Sequence, residues 1–422
     1  MPSDDLRARL QRLRPAKPPV PGAAPAPPPA EPGADQLPGV ESVNAHGAFQ
    51  LIEARYPLDQ RHGQLSFDAL FAHPPAVVAR LARAPALAEA DLRGLAFLDT
   101  ETTGLAGGAG TFAFLVGLGV FEGETFVLRQ YFSRGPHEEP AMLAALLDDL
   151  AGRTGWVTFN GRAFDVPVLE TRLTVNRRAS PFRARPHLDL LTPARWLYRG
   201  RLASCALSSL EQHVLGVPRT DDDVPGELIP HMYVEYLRTG NPLEMRRVIY
   251  HNAVDILSMV TLAAHLAEVF AAEAAASAPV SRPAASAERD PAEILRLALW
   301  HDREERPVEA EAAYRRALAG PLSLEDRQLA LTRCAALFKR LNRRAEAVPL
   351  WEQLAAFTLD DALPCIELSK YFEWKAGDLA QALTWARRAE ALIRAMPAGW
   401  RKAEAQDAIR RRLERLQGKQ AD

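Results

Sequence analysis

The chain has 422 residues, 48% of them apolar, and a net charge of −2. That length allows two or three domains with sizeable cores, and the near-neutral balance excludes nucleic-acid binding through overall basicity. Three scattered cysteines, Cys205, Cys334 and Cys365, form neither a disulfide framework nor a zinc pattern, which points to a reducing compartment.

The N-terminus, MPSDDLRARLQRLRP, lacks an apolar signal core, and the longest unbroken apolar-and-glycine stretch, 112–121, is half a membrane span. The expectation is a cytoplasmic protein with no membrane partner. Residues 1–40 include a proline/alanine tract that cannot bury a core, so a disordered tail is expected there. Residues 41–93, with weak signals, read as an N-terminal extension. From Leu95 the pattern sharpens. LAFLD, TFAFLVGLGVF and ETFVLRQYFS read as strands, the last two joined by a turn at Glu122–Gly123. Residues 138–151 have helical periodicity, GWVTFN is another short strand, and 165–177 reads as a helix. HLDLL reads as a strand, 207–215 as a helix stopped by Gly216, and 242–272 as a long apolar helix. Strands first and helices alternating later predict a mixed α/β sheet over 94–272.

An Ala/Ser/Pro-rich stretch, 273–290, reads as a linker. Beyond it, 291–418 is helical in pattern. ERPVEAEAAYRRAL, NRRAEAVPLWEQLA and AGDLAQALTWARRA resemble one another, and aligning Ala310, Ala347 and Ala382 gives steps of 37 and 35 residues. Each follows another apolar helix. A helix pair recurring every ~34 residues is the tetratricopeptide signature, which predicts an all-α repeat domain that docks a protein partner. Tyr314, Trp351 and Trp385 would fill the layers between helices.

Four acids stand out by context. Asp99 and Glu101, in FLDTETTGL, sit two apart at a strand end and so share a face. Two such carboxylates repel unless a cation lies between them, and Mg²⁺ or Mn²⁺ favours oxygen ligands of this kind. Gly104 lets a substrate backbone come close. Asp165, in FNGRAFD, opens a helix after a strand and turn, where a helix N-cap is the structural alternative. Asp255, in HNAVDILSMV, is flanked by apolar residues, where a carboxylate is costly unless paired or metal-bound. No lysine occurs between Lys17 and Lys339, which excludes a Walker loop, a Schiff base or a serine–lysine dyad there. GAGTFA at 108–113 leads into a strand rather than a helix, so it is not read as a dinucleotide loop.

The ordered set DTETTG, FNGxxFD and HNxxDI resembles the DEDD (DnaQ-like) 3′–5′ exonucleases, in their YprB-like ribonuclease-H-like branch, over about 94–266. GGAGTFAFLVGLG, LSSLEQHVLG and DDVPGELIP add to the resemblance. It implies a ribonuclease-H-like fold and a metal-dependent exonuclease acting on single-stranded 3′ ends of DNA or RNA. It further implies two divalent ions, Mg²⁺ or Mn²⁺, on Asp99, Glu101, Asp165 and Asp255. The matching motif positions Thr102, Thr103, Gly104, Asn160, Phe164 and Asn252 are implied as substrate contacts. The family supplies a histidine five residues, or a tyrosine four, before the last aspartate; here Tyr250 and His251 are exchanged between those registers. On a helix the −4 residue lies nearly above Asp255, so His251 is expected as the general base. Asp189 is expected behind the site or on substrate, and the Asp221–Asp223 run in a solvated loop. Residues 172–201 hold eight arginines with Phe182, Trp196 and Tyr198 among them, a pattern suited to phosphates and unpaired bases. The alternative is a catalytically weak or inactive nucleic-acid-binding scaffold.

Overall fold

The computed structural model describes residues 36–104, 110–220, 223–276, 290–357 and 360–421. Most of the expected tail and linker, part of GAGTFA, and Asp221 and Asp222 lie outside the described residues.

Two units follow one another, 1–271 and 272–422. In the first, the elements run β1 (Val40–Asn44), β2 (Gly47–Pro57), β3 (Arg61–His62), β4 (Leu65–Ser66), α1 (Pro75–Ala82), β5 (Leu95–Thr102), β6 (Ala113–Glu122), β7 (Thr125–Phe132), α2 (Glu139–Leu150), β8 (Gly155–Thr158), α3 (Asp165–Val175), β9 (His187–Asp189), α4 (Leu191–Tyr198), α5 (Leu207–Leu210), α6 (Ile229–Thr239) and α7 (Leu243–Ala276). Seven strands form one sheet in the order β1-β2-β7-β6-β5-β8-β9, and β3 pairs with β4. β5 runs antiparallel to β6 and parallel to β8, which is parallel to β9. This is the mixed sheet that the residues from Leu95 onward predicted. The stretch 41–93 does not stand apart from it, since β1 and β2 extend the sheet beyond β7.

β6 is buried along nearly its whole length, as expected of a central strand covered on both faces. One face carries Val116, Leu118, Val120 and Tyr131 against Met142, Leu146, Leu169 and Leu173 of α2 and α3. The other carries Ile52, Phe114 and Phe132 against Ile229 and Tyr233 of α6 and Val248 and Ile249 of α7. Besides α1, which lies in the stretch with weak signals, two helices of the region from Leu95 onward escaped the sequence reading, α4 and α6. α4 follows its strand after a single residue, and the periodicity of α6 is interrupted by Pro230 within its first turn. The stretch Leu243–Ala271 is long and apolar enough to cross a membrane, but 78% of its most apolar window is buried inside the protein. It is a core helix.

The second unit runs α8 (Pro291–Arg303), α9 (Pro307–Ala319), α10 (Leu324–Arg340), α11 (Arg344–Phe357), α12 (Leu363–Tyr371), α13 (Leu379–Ala395) and α14 (Trp400–Ala421). Ala310, Ala347 and Ala382 are fully buried where consecutive helices meet, and Tyr314 and Trp351 fill the core beside them. Small residues at such contacts allow the helix axes to approach closely.

Candidate active site

The parallel-to-antiparallel switch at β5 sets the location. In open α/β sheets, ligand crevices lie outside strand carboxyl ends at such points. A cleft of about 320 Å³ opens there, lined among others by Asp99, Glu101, Thr102, Gly104, Asn160, Phe164, Asp165 and Gly226.

Asp99 and Glu101 lie on β5, opposite Gly117 and Leu115 of β6. Asp165 is the first residue of α3, but it does not cap that helix; Phe164 holds the cap position without a side-chain bond. The Asp165 carboxylate instead accepts from the Thr100 amide (2.9 Å) and hydroxyl (2.6 Å), which ties α3 to β5. Asp255 comes from α7. Burial, followed by the charges of Asp165, Asp255 and Glu101, holds Asp99 well above the usual carboxylate range. Burial with the charges of Asp255 and Asp165 pushes Glu101 up to about 8, opposed by His251 and Arg219. Desolvation lifts Asp165 to about 6 against its bonds from Thr100. Three segments therefore bring four carboxylates together, with Asp99, Glu101 and Asp165 raised, the electrostatic setting a divalent cation relieves. Among the described residues no three His, Cys, Asp or Glu side chains form a closed ligating arrangement. Asp255 Oδ1 accepts from Arg219.

His251 lies one helical turn before Asp255, with Nε2 3.7 Å from Oδ2. Its Nδ1 is 2.6 Å from Asp223 Oδ1. Burial opposes the charged imidazolium, but the Asp223 bond and the charges of Asp255 and Glu101 prevail and raise His251 to about 9. Tyr250 turns away, its hydroxyl accepting from Thr220.

Several expectations need correcting. Asn252 is fully buried and does not line the cleft. Its Nδ2 donates to Asp99 Oδ2 (2.8 Å) and its Oδ1 accepts from Gln130 (2.9 Å), so it holds a carboxylate rather than a substrate. The Thr103 hydroxyl accepts from the Phe112 amide and closes the loop after β5. Asp223 is no solvated loop residue, since it binds His251 and Arg219. Phe182 and Tyr198 are buried. Phe182 packs on Trp156 and Tyr198 bonds His265, so neither ring is free to stack on a base. Asp189, by contrast, takes the first of its two expected places, behind the cleft, where it accepts from the amides of Asn160, Arg162 and Leu191. That bond pattern holds Asn160 at φ 66°, where Asn is better tolerated than most residues.

Sequence reasoning missed Arg219, Glu211 and Gly117. Glu211 lay within the LSSLEQHVLG helix and Arg219 just before the Asp221–Asp223 run, and nothing in either local pattern marked them as partners of the site. The glycines of FLVGLG were a usable signal for a close approach. A Cβ at Gly117 would lie 2.4 Å from Asn252 Oδ1, and one at Gly119 would lie 2.7 Å from Ile256 Cγ2. These glycines let α7 settle on β6 and bring Asn252 to Asp99.

The family model described as the RNase_H superfamily matches residues 96–267. The chain is also similar to the uncharacterized protein YprB of Bacillus subtilis (strain 168), 31% identical over 367 residues that cover 83% of this chain and 84% of that protein. With the sheet, the acidic cleft and these matches agreeing, this chain belongs to the YprB family within the ribonuclease H superfamily.

Proposed function

We propose that this chain is a 3′–5′ exonuclease that hydrolyses phosphodiester bonds at single-stranded DNA or RNA ends with two divalent ions, Mg²⁺ or Mn²⁺. The observation that carries the reading is the convergence of four acids from β5, α3 and α7: Asp99, Glu101 and Asp165 line the cleft, each raised by burial and by neighbouring acids, and the charge of Asp255 acts on Asp99 and Glu101. This donor set fits hard cations, which prefer carboxylate oxygens. When bound, such ions generate a hydroxide from water and stabilise the attacking and leaving oxygens.

The protein's own groups supply the rest. Asn252 and Thr100 orient Asp99 and Asp165. His251, oriented by Asp223, is the proton acceptor for the attacking water. Once the charges of Asp255 and Glu101 are compensated, two of the causes that keep it protonated weaken. Phe164, half exposed on the cleft, offers a ring face for the terminal base, and Asn160 lies beside it. Exposed Arg177, Arg185, Arg195 and Arg199 add charge suited to a phosphate backbone. On this reading the protein works in the cytoplasm, and the helix pairs of the second unit are the module for a protein partner.

One observation favours the second reading, a nucleic-acid-binding scaffold with little or no turnover: Arg219 already occupies Asp255. Incubation of 5′-labelled single-stranded DNA and RNA with Mn²⁺ separates the two. The exonuclease gives a ladder shortening from the 3′ end, abolished by Asp99→Ala. Binding without a ladder from folded wild-type protein rejects turnover.

A further inference from the structure

Arg219 is 15% exposed at its side chain, yet it serves acidic groups from three directions. Its Nε and Nη2 form a fork on Glu211, whose side chain is fully buried. Nη1 reaches Asp223 Oδ2 at 3.1 Å and lies 3.1 Å from His251 Nδ1. Nη2 also donates to Asp255 Oδ1. A guanidinium suits this task because its donors are fixed in a plane, whereas an ammonium is a single point of charge.

The anchor of this fork reaches the N-terminal stretch. The hydroxyl of Ser258, one turn beyond Asp255 on α7, bonds Glu211, and it lies 2.8 Å from Nε2 of buried His62. Next to His62, Gly63 adopts φ 67°, and a Cβ there would lie 2.2 Å from the Leu215 carbonyl oxygen and 2.7 Å from Val217 Cγ2. Gln64 donates its amide to that same carbonyl. The β3–β4 hairpin therefore braces the 215–217 backbone that leads to Arg219.

We infer that Arg219 is a positioning residue: anchored on Glu211 and braced by the β3–β4 hairpin, it sets the orientation in which Asp255 and His251 are held beside Glu101. The inference rests on the exonuclease reading and adds to it a part of the chain outside the three motifs.

The test uses the full chain. Arg219→Ala alone would strand Glu211 as an unpaired buried charge, so the main variant is Arg219→Met with Glu211→Leu, which removes both members of the pair. Mn²⁺ affinity is measured by calorimetry without nucleic acid, and kcat and KM on the single-stranded substrate. The expected result is a folded protein whose Mn²⁺ affinity and kcat each fall about 10–100-fold, as for residues that orient metal ligands, with KM little changed. Arg219→Lys, which keeps a cation beside Glu211, recovers part of both losses. A folded double variant with wild-type Mn²⁺ affinity and kcat overturns the inference and leaves the exonuclease standing. Tighter Mn²⁺ binding in the variant overturns it too, since Arg219 would then compete with the cation for Asp255. A wild-type protein that neither binds Mn²⁺ nor shortens either nucleic acid overturns the exonuclease reading itself, and the inference with it.

Discussion

Gly117→Ala tests how the helix bearing Asn252 and Asp255 is seated on the sheet. The added methyl would lie 2.4 Å from Asn252 Oδ1, 3.1 Å from Asn252 Cγ and 3.0 Å from Ile256 Cγ1. Ordinary contacts between such atoms are about 3.5–4.0 Å, so the overlap is roughly 1 Å against a fully buried side chain. Overpacking of this kind costs about 1–3 kcal/mol. In a unit of this size each kcal/mol moves Tm by about 2–4 °C, so calorimetry should show a fall of roughly 2–12 °C. Asn252 can yield only by drawing Nδ2 away from Asp99, so activity should fall with stability. Asn252→Ala removes the closest opposing atom, Oδ1, together with Cγ, leaving Ile256 Cγ1 at 3.0 Å, and supplies the control. In that background Gly117→Ala should cost less, with a coupling of about 0.5–3 kcal/mol, as for residues in direct contact. Strictly additive effects, or an unchanged Tm in Gly117→Ala alone, would refute the claim that this glycine is what lets Asn252 reach Asp99.

Two further predictions follow from the same geometry. Glu101 and Asp165 are raised to about 8 and about 6, and His251 to about 9. Each group then binds its proton more tightly folded than unfolded, so stability from these groups is present at low pH and is lost as pH rises. Metal-free protein in a chelator should lose thermal stability from about pH 4 to about pH 9, and excess Mn²⁺ should flatten that slope; a Tm rising over this range without metal would contradict the electrostatics. At Asn160, φ 66° is a conformation that disfavours a Cβ. Asn160→Ala should lower the urea midpoint by the equivalent of about 1–2 kcal/mol, while Asn160→Gly should stay near wild type; equal effects would show that the backbone angle is not what selects Asn there.

The legible part of the site was the part written in local pattern. Asp99 and Glu101 end an apolar strand, Asp165 follows a strand–turn signal, and Asp255 interrupts an apolar helix. At Asp99, Glu101 and Asp255 the cost of placing a carboxylate there marks the residue without reference to a partner, whereas Asp165 stood out only through its motif FNGRAFD. The choice between Tyr250 and His251 also followed from helix geometry alone, and His251 does face Asp255. Asn252 was misassigned because the same geometry gives its face on the helix and not what covers that face.

What the sequence determined by itself was the order and type of the strands from β5 to β9, the long helix α7 and the helix pairs beyond residue 290. Each depends on spacing along the chain, which the 2-residue and 3.6-residue periods carry directly. What only the tertiary structure decided was which polar groups meet. Asn252 reaches Asp99 across 153 residues, Ser258 meets His62 across 196, and Arg219 joins Glu211, Asp223 and Asp255 from a segment with no regular pattern. The physical reason is that a buried polar group must find a partner, and that partner is chosen by whatever the folded backbone brings within about 3 Å, a quantity that no local period contains.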